Sequence, residues 1–192
     1  MRIAVLLVVL GLLAALSSEW PASSSSLDVA SPTATAPVHR GGLGEAGGAI
    51  PDGTTVFDGT VPGVAKLDPD LLTALRRAAT EAAGAGVRFT VDSGWRSPAY
   101  QQQLLHDAIS KYGSEAEAAR WVATPQTSSH VKGDAIDLGS SGAGWLSTHG
   151  AAYGLCRIYG NEPWHYELRT GAVDHGCPPV YADPTHDPRM QQ

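Results

Sequence analysis

The sequence predicts an α+β domain with a small antiparallel sheet flanked by helices. Apolar residues at helical spacing dominate the earlier part of the folded region. Short runs of strand character cluster late, around 134–138, 155–158 and 164–168. Strands and helices do not alternate in the regular βαβ rhythm that a parallel sheet requires, and no internal repeat is present.

Asp68-Pro69 marks the first helix, with an N-capping acid and proline at the first helical position. Leu71, Leu72, Leu75, Ala78, Ala79 and Ala82 form its apolar face, and Gly84 or Gly86 ends it. Val87–Val91 alternates as a strand, with Val87, Phe89 and Val91 on one side. After the turn Ser93–Pro98, Ser97 and Pro98 open a second helix that runs to Tyr112-Gly113. Ser114 and Glu117 have the spacing of a capping box for a short helix ending near Val122. A strand follows at Asp134–Leu138, then a helix over Ser141–Tyr153 closed by Gly154. Leu155–Ile158 and Trp164–Leu168 form a final antiparallel pair.

The ends differ from the middle. Met1-Arg2 precedes an apolar run, Ile3–Leu16, which falls short of the roughly 20 residues of a membrane span. With small residues around Ala15–Ser17, residues 1–17 are expected to be a cleaved secretory signal rather than an uncleaved anchor. Residues 18–49 are rich in Ser, Thr, Ala, Pro and Gly and are expected to be a flexible tether. The folded domain is expected over 50–181, with an irregular tail at 182–192. The net charge is −6 and no Lys/Arg stripe exists, which argues against nucleic acid or an anionic membrane as partner. Two cysteines, Cys156 and Cys177, suit an oxidising compartment and one disulfide; the alternative is a pair of free buried thiols.

Chemistry concentrates in two late segments. In SSHVKGDAIDL, Ser128–Leu138, strand alternation turns Ile136 and Leu138 toward the core and Ala135 and Asp137 to the opposite face. In the last strand, Trp164, Tyr166 and Leu168 share one face and His165 and Glu167 the other. Neighbouring strands could therefore present Asp137 and His165 on one surface, with His130 completing a triad. Two histidines and a carboxylate with an open fourth position are a catalytic zinc arrangement; such zinc lowers the pKa of its water to about 7. Glu162, three residues before His165, is the candidate general base, re-aimed by the irregular Gly160–Pro163 segment.

Three motifs occur in order: SGWRSPAYQ at 93–101, SSHVKGDAID at 128–137 and EPWH at 162–165. Together they make residues 67–168 resemble the VanY-like D-alanyl-D-alanine carboxypeptidases, zinc peptidases of peptidoglycan whose fold is shared with the Hedgehog signalling domain. The resemblance implies zinc held by His130, Asp137 and His165. It implies Glu162 as general base for hydroxide attack on the scissile amide. Arg96 matches an arginine that contacts the substrate carbonyl or carboxylate, and Ser128 and Gln101 match polar groups of the substrate pocket. Gln126 and Ser129 depart from the Gly and Glu common in the family, which bears on the pocket and spares the metal chemistry.

The implied substrate is the peptidoglycan stem peptide, the location secreted or cell-envelope, and the state monomeric without stable membrane insertion. L,D-carboxypeptidase, D,D-dipeptidase or endopeptidase activity keeps the same mechanism. A zinc-stabilised binding module is the reading of another class, and the presence of Glu162 and Arg96 argues against it. Trp95, Trp121, Trp145 and Trp164 are expected in the core. His106, His149 and His175 are expected to be surface or structural, and His39 and His186 to fall in irregular ends. Tyr166 and Glu167 flank a ligand and could support it; Asp134 and Arg76-Arg77 should be solvated.

Overall fold

The computed structural model describes residues 43–191. The expected signal at 1–17, residues 18–42 of the expected tether (His39 among them) and residue 192 lie outside the described residues. Residues 43–49 form a 3-10 turn, Glu45–Gly47, whose Gly47 carbonyl accepts from the Ser97 amide at 2.8 Å. The packed chain thus starts ahead of Ile50.

After a single helical turn, α1 (Pro62–Ala65), comes the longest helix, α2 (Pro69–Gly84). The Asp68 carboxylate caps α2 by accepting from the amides of Asp70 and Leu71. Its buried face carries Leu71, Ala74, Leu75, Ala78, Ala79 and Ala82. Fully burying a leucine such as Leu71 or Leu75 contributes about 1.5–3 kcal/mol each. Helix α3 (Pro98–Tyr112) is capped by the Ser97 hydroxyl and stops at Gly113. Helix α4 (Glu115–Ala119) is capped by Ser114 and ends short of Val122, because the Trp121 and Val122 amides both turn back onto the Ala118 carbonyl.

The sheet has four antiparallel strands in the order β1-β2-β4-β3: β1 (Val91–Ser93), β2 (Ala135–Leu138), β3 (Leu155–Arg157) and β4 (His165–Leu168). The expected strand at 87–91 is displaced: residues 87–89 are unpaired, Thr90 makes an isolated bridge with Thr55, and the ladder to β2 starts with Val91 opposite Leu138. Phe89 is still buried, edge-on to Trp145 with ring centroids 5.8 Å apart. The VRFTV alternation reported a buried side, which an unpaired segment beside the core also satisfies. The expected helix at 141–153 is α6 (Ser140–His149) followed by a 3-10 turn, Gly150–Tyr153. Helices α2 and α6 cover one face of the sheet and enclose Ile136, Leu138, Leu155 and Tyr166. Among the described residues no helix is long and apolar enough to cross a membrane.

Cys156, fully buried on β3, is bonded to Cys177 across 21 residues. Closing a loop of that length stabilises by about 3 kcal/mol in the chain-entropy model. Unfolded, unreduced protein should give no free-thiol label, and reduction should lower stability by that amount. Two labelled thiols per chain before reduction would contradict the bond. Beyond it the chain is not a loose tail. The 3-10 turns Pro184–His186 and Pro188–Met190 are capped by Asp183 and Asp187, which are 2% and 0% exposed. Their partners, Arg120 on the chain just after α4 and Tyr159 after β3, are remote in sequence, so local composition did not reveal the docking.

Candidate active site

The ladder between β2 and β4 sets Asp137 directly opposite His165, so both side chains leave the sheet on the face away from the α2/α6 core. His130 arrives from a one-turn helix, α5 (Ser129–Lys132), capped by the Ser128 hydroxyl. That helix ends at Gly133 with φ 83°, where a side chain would also strike the Lys66 carbonyl at 2.7 Å. One ligating atom each from His130, Asp137 and His165 lies within 4.8 Å of the others. His165 Nδ1 is 3.0 Å from Asp137 Oδ1, and His130 Nε2 is 3.4 Å from it.

The outer contacts assign the nitrogens. His130 Nδ1 faces the Gly94 carbonyl at 2.8 Å and must donate to it, which leaves Nε2 as a lone pair. Gly94 reaches that position because its own Cα approaches the Gly63 carbonyl, which an added Cβ would meet at 2.0 Å. His165 Nε2 faces Glu167 Oε1 at 3.3 Å, which leaves Nδ1 for the centre. Asp137 offers Oδ1 inward, while its Oδ2 accepts from Arg96 Nη2 at 3.1 Å. Once His165 gives up the proton that its acids stabilise, two imidazole lone pairs and one carboxylate oxygen converge, each held from behind. This fits zinc, whose histidine ligands commonly donate their second N–H to a carbonyl or carboxylate.

The electrostatics agree with a cation site. Burial, helped by the Arg96 charge, pushes the His130 imidazole down, toward its neutral, ligating form. Burial works against the charge of His165, yet its bonds to Asp137 and Glu167 push it up to about 10. Burial likewise opposes ionisation of Asp137, and both histidines hold it well below the usual carboxylate range. The pocket already stabilises a positive charge between its acids. Glu162 behaves differently: burial pushes its carboxyl up to about 7, with Asp137 adding to the rise and His165 and Arg96 opposing it. It sits 3.8 Å from His165 Nδ1, brought there by a turn in which the His165 amide donates to the Glu162 carbonyl.

These groups open into a cleft of about 280 Å³, walled by Arg96, Tyr112, Trp121, Trp164 and Met190. Trp164 and Trp121 are 40% and 36% exposed rather than in the core. Trp164 precedes β4 and escapes its inward face, and Trp121 stacks on Tyr112 with centroids 5.8 Å apart. Trp145 and Trp95 are part-buried, Trp145 against the core and Trp95 beneath Lys66. Gln101 and Ser128 both line the cleft, 1% and 2% exposed. Gln101 is engaged at both ends, accepting from Arg96 and donating to the Ala123 carbonyl.

Of the two residues flanking His165 in β4, Glu167 supports it, whereas Tyr166 points into the core and donates to the Ala143 carbonyl. Ser129 donates to Glu167 at 3.0 Å; a carboxylate in its place would face a like charge. Gln126 is exposed on the turn before α5; Asp134 is exposed just before β2, and His106, His149 and His175 are exposed on helices. Arg76 is not simply solvated, because its Nε donates to the Val56 carbonyl, while Arg77 is exposed. His186 is exposed but bonded to Asp183.

The sequence model of the VanY family, D-alanyl-D-alanine carboxypeptidase, matches residues 64–170, more than half of the chain. The chain belongs to the VanY family. A D-alanyl-D-alanine carboxypeptidase of Enterococcus faecalis is 32% identical over 107 aligned residues, covering 42% of this chain and 40% of that one. The chain thus spans well under half the length of this curated relative. VanYB in complex with D-alanine-D-alanine is similar in structure, with TM-score 0.52 and 27% identity, covering 57% of this chain and 74% of that one. A vancomycin-resistance D,D-pentapeptidase VanY mutant in complex with Zn(II) gives TM-score 0.50 and 28% identity, covering 53% of this chain and 72% of that one. The L,D-carboxypeptidase LdcB, at 22% identity and TM-score 0.52 over 66% of this chain and 71% of that one, shares the fold. The matched VanY region contains all three motifs and stops before Cys177 and the docked tail.

Proposed function

We propose that this VanY-family chain is a zinc-dependent D-alanyl-D-alanine carboxypeptidase that trims peptidoglycan stem peptides outside the cytoplasm. The observation that carries the reading is the convergence of His130, Asp137 and His165 on one sheet face beside a buried Glu162. Zinc would be held by His130 Nε2, His165 Nδ1 and Asp137 Oδ1. When bound it supplies a water acidified to about pKa 7 and polarises the scissile carbonyl. Glu162 takes the proton of the attacking water and passes it to the departing D-alanine amine. In the metal-free site burial raises the Glu162 carboxyl to about 7; a cation bound beside it would favour the ionised form that accepts the water's proton. Trp164, Trp121 and Met190 wall the cleft beside these groups.

Arg96 acts as fixed positive charge beside the developing oxyanion. Three of its five N–H donors are committed within the fold, to Ser93, Gln101 and Asp137. Arg96→Ala should therefore lower kcat on every substrate while the preference for a free C-terminus over its amide survives. Kinetics on paired acid and amide peptides check this. Loss of that preference with kcat retained would assign Arg96 to the terminal carboxylate instead.

Mass spectrometry of defined stem peptides incubated with zinc-loaded protein tests the function. Release of a single terminal D-alanine is expected. Cleavage at another bond would replace the assignment by the L,D-carboxypeptidase, dipeptidase or endopeptidase of the same mechanism. No cleavage, with zinc bound, would leave a zinc-stabilised binding module.

A further inference from the structure

We propose that the C-terminal tail is a working part of the metal centre, and that Arg189 is a positioning residue acting through Glu167 on His165. The inference rests on the zinc reading above and goes beyond the region matched to the VanY family, which ends at residue 170.

Glu167 is 1% exposed and is the group that holds His165 Nε2. Ser129 and two arginines surround it. Arg169, its near neighbour in sequence, donates to Oε2 at 2.6 Å. Arg189, 22 residues away, straddles the carboxylate, with Nη1 at 2.7 Å from Oε2 and Nη2 at 3.4 Å from Oε1. A guanidinium that spans both oxygens fixes the plane of the carboxylate as well as its charge. That plane determines where Oε1 meets the imidazole, and the imidazole determines where Nδ1 points.

Arg189 is itself clamped. Its Nε lies 3.0 Å from both Asp187 oxygens, and its Nη2 also donates to Asp187. Asp187 is fully buried and accepts from the Tyr159 hydroxyl at 3.0 Å, and the Tyr159 ring stands 5.2 Å from the His165 ring. The tail touches the site a second time. The Gly160 and Asn161 amides donate to the Tyr181 and Ala182 carbonyls, which pins the loop that carries Glu162. A tail that served only to cover the surface would not need a guanidinium placed on the buried carboxylate behind a ligand.

The test is zinc affinity by competition with a chromophoric chelator, on full-length wild type, Arg189→Gln, Glu167→Gln and the double variant, with the melting temperature of each metal-free protein measured in parallel. Wild type should bind one zinc; if it binds none, the zinc reading fails before this one is reached. Outer groups that orient ligands are worth roughly 10–100-fold in metal affinity, and Arg189, one contact further out, should sit near 10-fold. The Arg189→Gln loss should vanish in the Glu167→Gln background, because the effect runs through that carboxylate. Arg189→Lys keeps the charge without the fork and should recover part of the loss; it also serves if Arg189→Gln does not fold. Zinc affinity within twofold of wild type for Arg189→Gln or, if that variant does not fold, for Arg189→Lys would overturn the proposal. So would an undiminished further loss in the double variant.

Discussion

Glu162→Gln should bind zinc and fold like the wild type while turnover falls about 10²- to 10⁴-fold, the usual contribution of a positioned acid–base group. The side chain is 9% exposed, and its nearest charged partner is His165 Nδ1 at 3.8 Å, so the isosteric amide breaks no close bond. The same substitution has a second signature. Burial raises the Glu162 carboxyl to about 7 in the folded, metal-free protein, against an ordinary value of 4.5. The unfolded chain releases its proton first, so Glu162 makes the metal-free wild type lose stability as pH rises from about 4.5 through 7. The glutamine variant has no such cost and should melt higher than the wild type at neutral pH. A variant that is inactive and also less stable at pH 7 would point to a structural role. Measured together, kcat and the pH dependence of melting separate the two.

His130→Ala should lose stoichiometric zinc and, with it, all measurable turnover. The side chain is the only one of the three ligating groups that comes from outside the sheet, and it is anchored by the Gly94 carbonyl. Without it, His165 and Asp137 remain as a two-atom site that no longer encloses the ion. The fall in affinity should exceed the roughly 100-fold upper end for groups that merely orient ligands. His149→Ala, on the exposed end of α6, should retain zinc and activity and serves as the control. Metal analysis after dialysis against a weak chelator decides the matter: tightly held, stoichiometric zinc in His130→Ala would rule out this triad.

The order of elements, the α+β class and the candidate ligands were legible in the chain, because each depends on residues near one another in sequence. The Asp68 and Ser97 caps are local hydrogen bonds, and the face of α2 is a local periodicity. Alternation alone was enough to put Asp137 and His165 on the side away from Ile136 and Tyr166. The segment at 87–91 shows the limit of that logic. A one-sided apolar pattern records where a chain is buried; which residues pair depends on where the partner strand lies, and Leu138 meets Val91.

Tertiary structure alone decided how the site is held. No pattern in a proline-rich C-terminal stretch marks Asp187 and Arg189 as partners of Tyr159 and Glu167, since those contacts span 28 and 22 residues. Nor does a motif reveal that Arg96 grips the far oxygen of Asp137, 41 residues away. Hydrophobicity also misplaced Trp164 and Trp121, because a tryptophan is equally at home in a core and on a cleft wall, and only the packed neighbours distinguish the two. Local rules of spacing and capping determined which residues could ligate. The packing of Gly94 behind His130, and of Glu167 with the tail's Arg189 behind His165, determined which nitrogen of each histidine faces inward, because a hydrogen bond between distant residues exists only once the chain has brought them within about 3 Å.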